Sequence, residues 1–149
     1  RQRQMCIRDR AGYLITETDT VVIDLGTATT FDVVSKNKEY LGGSIAPGIK
    51  ISLDALTLKT ASLKSVELDT PNKVIGKNTY EAIQSGLIMG HASMIDSMVE
   101  KIILEIDIEP KIILTGGLSK VVQPILNVNV EYIENLTLVG LEEIFKLNN

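Results

Sequence analysis

Four short stretches of the chain hold residues that can do chemistry. The first is Asp24-Leu25-Gly26-Thr27-Ala28-Thr29-Thr30. Gly26 lets an anion approach the main chain with no Cβ in the way. Thr27, Thr29 and Thr30 set hydroxyl donors beside backbone N–H groups, the makings of a phosphate cradle. Asp24 would repel a phosphate by itself, yet its carboxylate suits a hard cation that neutralises one. The same residues also suit a polar hairpin in which Asp24 caps the turn and the threonines favour strand. The second stretch, Ile112-Ile113-Leu114-Thr115-Gly116-Gly117-Leu118, is an apolar run, a Gly-Gly turn and the start of a helix. A nucleotide can lie flat over such a turn at a helix N-terminus, although turns of this kind are common without any ligand. The third, Gly42-Gly43-Ser44-Ile45-Ala46-Pro47-Gly48, is a glycine-rich strand exit. The fourth, Gly76-Lys77-Asn78-Thr79, precedes a long periodic segment, where Asn78 or Thr79 serves most simply as an N-cap.

These stretches need elements to position them. Val21-Val22-Ile23 is β-branched and wholly apolar, the mark of a buried strand. Residues 29–35 form a second strand, Lys36-Asn37-Lys38-Glu39 a hairpin loop, and residues 40–45 a third strand, which together predict an antiparallel meander. A helix is expected from Ile49, with Ile49, Leu53, Leu56 and Leu63 on its apolar side. Pro71, Asn72 and Gly76 make residues 66–77 a loop. The longest periodic segment spans 79–106. Ile83, Leu87, Met94 and Met98 mark one face and Ile88, Ile95, Val99 and Ile102 another, which predicts a helix buried on two sides. Gly86 and Gly90 would admit a close helix neighbour, including one from a partner subunit. A strand at 111–114, a short helix at 118–126, a strand at 128–132 and a closing helix at 138–147 complete an α/β domain with a mixed sheet of five strands.

Composition narrows the function classes. The chain has 149 residues, 44% of them hydrophobic and 23% charged, which fits one globular domain. A formal charge of −4 disfavours nucleic acid as a partner, and 4% aromatics leave few stacking platforms for single strands. One cysteine makes no internal disulfide. No apolar run reaches the roughly 18–20 residues that cross a bilayer, so neither nucleic acid nor membrane is an expected partner and the expected location is cytoplasmic. His91, the single histidine, lies in the long helix and reads as a packed or interface residue.

The first ten residues stand apart. All four arginines and the only cysteine, Cys6, lie in RQRQMCIRDR, and the other 139 residues carry eleven lysines against eighteen acids, a net −7. Residues 1–10 are therefore read as a foreign or artefactual leader, and 11–149 as the domain.

In this order the four motifs resemble type III pantothenate kinase, a family of the acetate and sugar kinase, heat-shock ATPase and actin superfamily. The matching residues are DLGTATTFD (24–32), GGSIAPG (42–48), GKNT (76–79), AIQSG (82–86), TGGL (115–118) and the closing LTLVGL (136–141). The resemblance implies an RNase-H-like (actin-like ATPase) domain, the C-terminal one of two in the family. It implies transfer of the γ-phosphate of ATP to pantothenate, giving 4'-phosphopantothenate, the first step towards coenzyme A. Asp24 then matches the ligand of a monovalent cation, K+ or NH4+. Gly26, Thr27 and Thr29 match the second phosphate motif, Gly116 and Gly117 the adenosine-side turn, and Thr79 a pantothenate contact. Mg2+ accompanies the nucleotide, and the enzyme works as a homodimer. The family's first phosphate loop, Asp-x-Gly-Asn-Thr, is not found in this sequence. Asp9-Arg10 sits too close to Ala11 to be its Gly-x-Asp-Arg motif. The expectation is a truncated and inactive kinase whose catalytic base is unassigned. The alternative is a non-catalytic paralogue that keeps the fold for dimerisation or regulation.

Overall fold

The computed structural model describes residues 11, 17–58, 66–138 and 140. Its centre is β1 (Thr20–Leu25), buried along nearly its whole length. On one side it pairs antiparallel with β2 (Ala28–Val34), and β2 pairs antiparallel with β3 (Tyr40–Pro47). On the other side it pairs parallel with β4 (Lys111–Thr115), and β4 with β5 (Glu131–Tyr132). The sheet order is therefore β3-β2-β1-β4-β5, a mixed sheet of five strands that begins with the expected meander.

Both faces of β1 are covered, which is why its sequence does not alternate. Val21, Ile23 and Leu25 join Phe31, Val33, Ile112 and Leu114 in the larger core. Val22 faces the other way, against Ile113, Ala11 and Leu136. By the two-residue period of a strand, Asp24 shares the Val22 side.

The larger core is closed by α1 (Ile49–Thr57) and α2 (Thr79–Ile106). Ile49 is buried in α1 and Leu53 packs on the core, but Leu56 is 47% exposed, contrary to the expected apolar side; Leu63 lies outside the described residues. Helix α2 has the predicted span. Asn78 is its N-cap: Oδ1 accepts from the Glu81 N–H at 2.9 Å, and Glu81 Oε2 accepts from the Lys77 N–H at 2.8 Å, a reciprocal cap. Asp107 ends it in a left-handed conformation at φ 53°, its N–H returning to the Ile103 carbonyl. The helix is buried on one broad face only. Leu87, Ile88, Ala92, Ile95 and Val99 form that face. Ala82, Gly86, Gly90, Ser93 and Ser97 are exposed opposite, and a Cβ built on either glycine meets nothing within 4 Å.

Two elements differ from the sequence expectation. The helix predicted over 118–126 is α3 (Ser119–Val122) followed by a 3-10 turn, Gln123–Ile125. Pro124 marks the change: Gln123 keeps αR angles (φ −48°, ψ −44°), but Pro124 has no N–H to extend the α-helical ladder, and the chain closes with the Leu126 N–H on the Gln123 carbonyl. The strand predicted over 128–132 pairs only at Glu131 and Tyr132. The amides of Asn127 and Val128 donate instead to the buried carboxylate of Asp96 on α2, at 3.0 to 3.1 Å, and Asn127 Nδ2 adds a bond of 2.8 Å. The helix thus holds residues 127–128 away from β4. A cavity of about 540 Å3 opens between Lys111-Ile112 and residues 128–130, floored by Val99 and Ile103. The closing helix predicted over 138–147 is seen as a helical turn at 136–138 and 140; its remainder lies outside the described residues, as do Val139 and Leu141 of the closing motif.

Candidate active site

β1 and β4 run parallel and side by side, so their C-terminal ends open at the same edge, where open α/β sheets take their ligands. The two glycine turns therefore meet. Gly116 has φ +103°, a conformation other residues rarely adopt, and a Cβ there would fall 2.5 Å from Asp24 Oδ1 and 2.6 Å from the Leu25 nitrogen. A Cβ on Gly26 would lie 3.5 and 3.6 Å from the two Asp24 oxygens. The half-buried Asp24 carboxylate is thus set between the two turns, with glycine on either side. Gly117 is exposed, and a Cβ there would meet nothing within 4 Å. The edge is open beyond it.

The first turn is closed by the Gly26 N–H, which donates to the Ala28 carbonyl at 3.2 Å, and it presents Thr27 to solvent. Gly48, after β3, abuts the same turn: a Cβ on it would collide with the carbonyls of Gly26 and Thr27. The GGSIAPG segment is therefore part of the wall of the turn.

The three threonine hydroxyls do not act together. Thr27 is exposed, but Thr29 is 1% exposed and its Oγ1 lies 3.2 Å from Nε2 of His91 on α2. Thr30 donates to Asp32 Oδ2 at 3.1 Å, and Tyr40 donates to the other Asp32 oxygen at 3.1 Å. Thr29 and Thr30 project to opposite faces because they are neighbours on one strand. The hydroxyl cradle expected from three threonines contracts to Thr27, with Thr29 turned into the fold.

His91, expected to be a packed or interface residue, is buried. Burial lowers its pKa below the ordinary histidine value, opposed by hydrogen bonds with the backbone of Pro47 and Leu87. No local pattern announces its contact with Thr29, which is 62 residues away. Thr79 occupies the first position of α2, beyond Asn78, and is exposed. Twelve residues of helix separate it from His91, about 18 Å along the axis, so Thr79 stands apart from the two turns. Lys73, Lys77 and Glu81 line a cavity of about 420 Å3 beside that helix start. Among the described residues there is no group of three or more His, Cys, Asp and Glu placed to hold a metal, and no helix long and apolar enough to cross a membrane.

This combination, parallel strand ends with two glycine turns around one carboxylate in a mixed five-stranded sheet, places the domain among the actin-like ATPase folds. A solved structure of component A of the Acidaminococcus fermentans (R)-2-hydroxyglutaryl-CoA dehydratase matches it with a TM-score of 0.52 at 13% identity, over 92% of this chain and 64% of that one. A Campylobacter jejuni structure assigned to the Baf family of transcriptional activators matches with a TM-score of 0.65 at 26% identity, over 95% of this chain and 64% of that one. The type III pantothenate kinase family model matches residues 7–101, and the chain belongs to that family. Type III pantothenate kinases of Anaeromyxobacter sp. and Syntrophus aciditrophicus are 45% and 46% identical to it, over 86% and 88% of this chain and 50% and 52% of theirs. The chain spans about half the length of these curated relatives.

Proposed function

We propose that this chain forms the C-terminal, nucleotide-binding half of a pantothenate kinase, with residues 11–149 as the domain. The reaction is transfer of the γ-phosphate of ATP to the primary hydroxyl of pantothenate. A bond forms from that oxygen to the γ-phosphorus, the bond from the γ-phosphorus to the bridging oxygen of ADP breaks, and the hydroxyl proton passes to a carboxylate supplied from outside residues 11–149. The observation that carries the reading is the convergence of two glycine turns on the Asp24 carboxylate. Gly26 and Thr27 form the wall met by phosphate, and Gly116 and Gly117 the backbone floor on the adenosine side. Thr29 supports this wall from beneath. Asp24 offers the oxygen chemistry that K+ or NH4+ takes, and Mg2+ arrives on the phosphates. Such a cation neutralises charge that the Asp24 carboxylate alone would repel. Thr79 is the pantothenate contact. The exposed small-residue face of α2 suits a close helix neighbour in a homodimer, and the compartment is the cytoplasm. The relatives carry the kinase name, which favours the enzyme over a non-catalytic paralogue.

The test is phosphorylation of pantothenate by the complete gene product, followed by ADP release in K+, NH4+ and Na+ buffers. The expected result is activity that needs K+ or NH4+, a response removed by Asp24→Asn, and no turnover by the 149-residue chain alone. A complete protein that leaves pantothenate unmodified in every buffer overturns the reading.

A further inference from the structure

The turn at Gly26-Thr27 has two flanks, and a side chain of α2 touches the strand that leaves it. Thr29, the first buried residue after the turn, meets the His91 ring at 3.2 Å. On the other flank Gly48 is seated on the carbonyls of Gly26 and Thr27. His91 belongs to α2, so its contact with Thr29 ties the strand that leaves the turn to that helix.

We propose that His91 is a positioning residue for the nucleotide turn: its ring braces Thr29 against α2, and so keeps Thr27 and Gly26 where a phosphate meets them. This rests on the nucleotide reading above and adds a residue that never touches the ligand. The chemistry of the ring fits the task. A neutral imidazole has one N–H and one lone pair. Nε2 accepts from the Thr29 hydroxyl or donates to it according to the tautomer, and either bond ties Thr29 to the helix.

Because His91 is the single histidine, the test needs no assignment. The chain is titrated with ADP and Mg2+ in K+ buffer, with affinity read by calorimetry and the imidazole nitrogens by NMR. The expected result is imidazole signals that shift as ADP binds. His91→Phe should weaken ADP roughly tenfold, the factor set by one buried hydrogen bond, while the far-ultraviolet circular dichroism stays native. His91→Gln, which restores an amide near the Nε2 position, should recover much of that loss. Thr29→Val should weaken ADP similarly, and the double variant should add little to either single one. A His91→Phe protein that stays folded and binds ADP as tightly as the parent overturns the proposal. If His91→Phe fails to fold, the decision passes to Thr29→Val, whose unchanged ADP affinity would likewise overturn it. A parent chain that binds no ADP sinks the nucleotide reading itself, and this inference with it.

Discussion

The two ends of the β1–β4 pair are built from opposite materials. At the C-terminal ends the chain leaves through Gly26, Gly116 and Gly117, the side chains shrink, and the Asp24 carboxylate lies between backbone segments. At the N-terminal ends the chain enters through Thr20 and Lys111, where Val99, Ile103, Ile112 and Val128 line an apolar cavity rimmed by the Lys111–Glu131 ion pair at 2.6 Å. One end gives up packing so that a charged guest can come close to the main chain. The other keeps side chains and uses charge only at its exposed rim. Parallel strands make this division possible, because they bring all their exits to one edge.

The comparison is broken most severely at Gly116. Gly116→Val should destabilise the fold by about 3 kcal/mol, since a branched side chain at positive φ also overlaps Asp24 and the Leu25 backbone. Thermal melting reads that loss, and calorimetry should find ADP binding gone. Next comes Asp96, which serves the cavity end. Asp96→Ala leaves the amides of Asn127 and Val128 without their acceptor and should cost about 2 kcal/mol in urea unfolding. ADP affinity should hold, because the loss is remote from the turns; an equal loss of affinity would erase the distinction between the ends. A smaller effect comes from pH. His91 has its pKa lowered in the folded state, so the unfolded chain takes up the proton first as pH falls. Its share of stability is complete above the ordinary histidine range and declines as pH drops through 6.5 towards the folded value. Urea midpoints at pH 7.5 and 5.5 should therefore differ, and His91→Gln should narrow the gap. Smallest is Glu131→Gln, which removes one exposed ion pair and should shift stability by about 0.5 kcal/mol or less, with no change in ADP affinity.

Much of this plan is legible in the sequence. The unbroken Val21-Val22-Ile23 run declares a strand covered on both faces, and Asn78 with Glu81 declares the start of α2. The two glycine turns are visible because a missing side chain is a local property. What stays hidden depends on pairs distant in the chain. Thr29 reads as a phosphate ligand until His91, 62 residues later, is seen to engage its hydroxyl. Residues 128–130 read as strand because Val128 and Val130 have the right propensity, yet the Asp96 carboxylate holds the local backbone elsewhere. The two apolar faces expected of α2, Ile83-Leu87-Met94-Met98 and Ile88-Ile95-Val99-Ile102, adjoin in the fold as one broad side packed on the core, and Leu104 is left 81% exposed.

The diversion of residues 127–128 by Asp96 has a consequence for behaviour in crowded solution. A sheet grows by recruiting foreign strands along an unpaired margin, and long flat margins are the dangerous ones. Here the last strand on that margin is cut to two residues before it can serve as a template. The same carboxylate that fastens a loop to a helix therefore blunts the route to fibrils, and a chain lacking it should clump sooner as well as melt sooner.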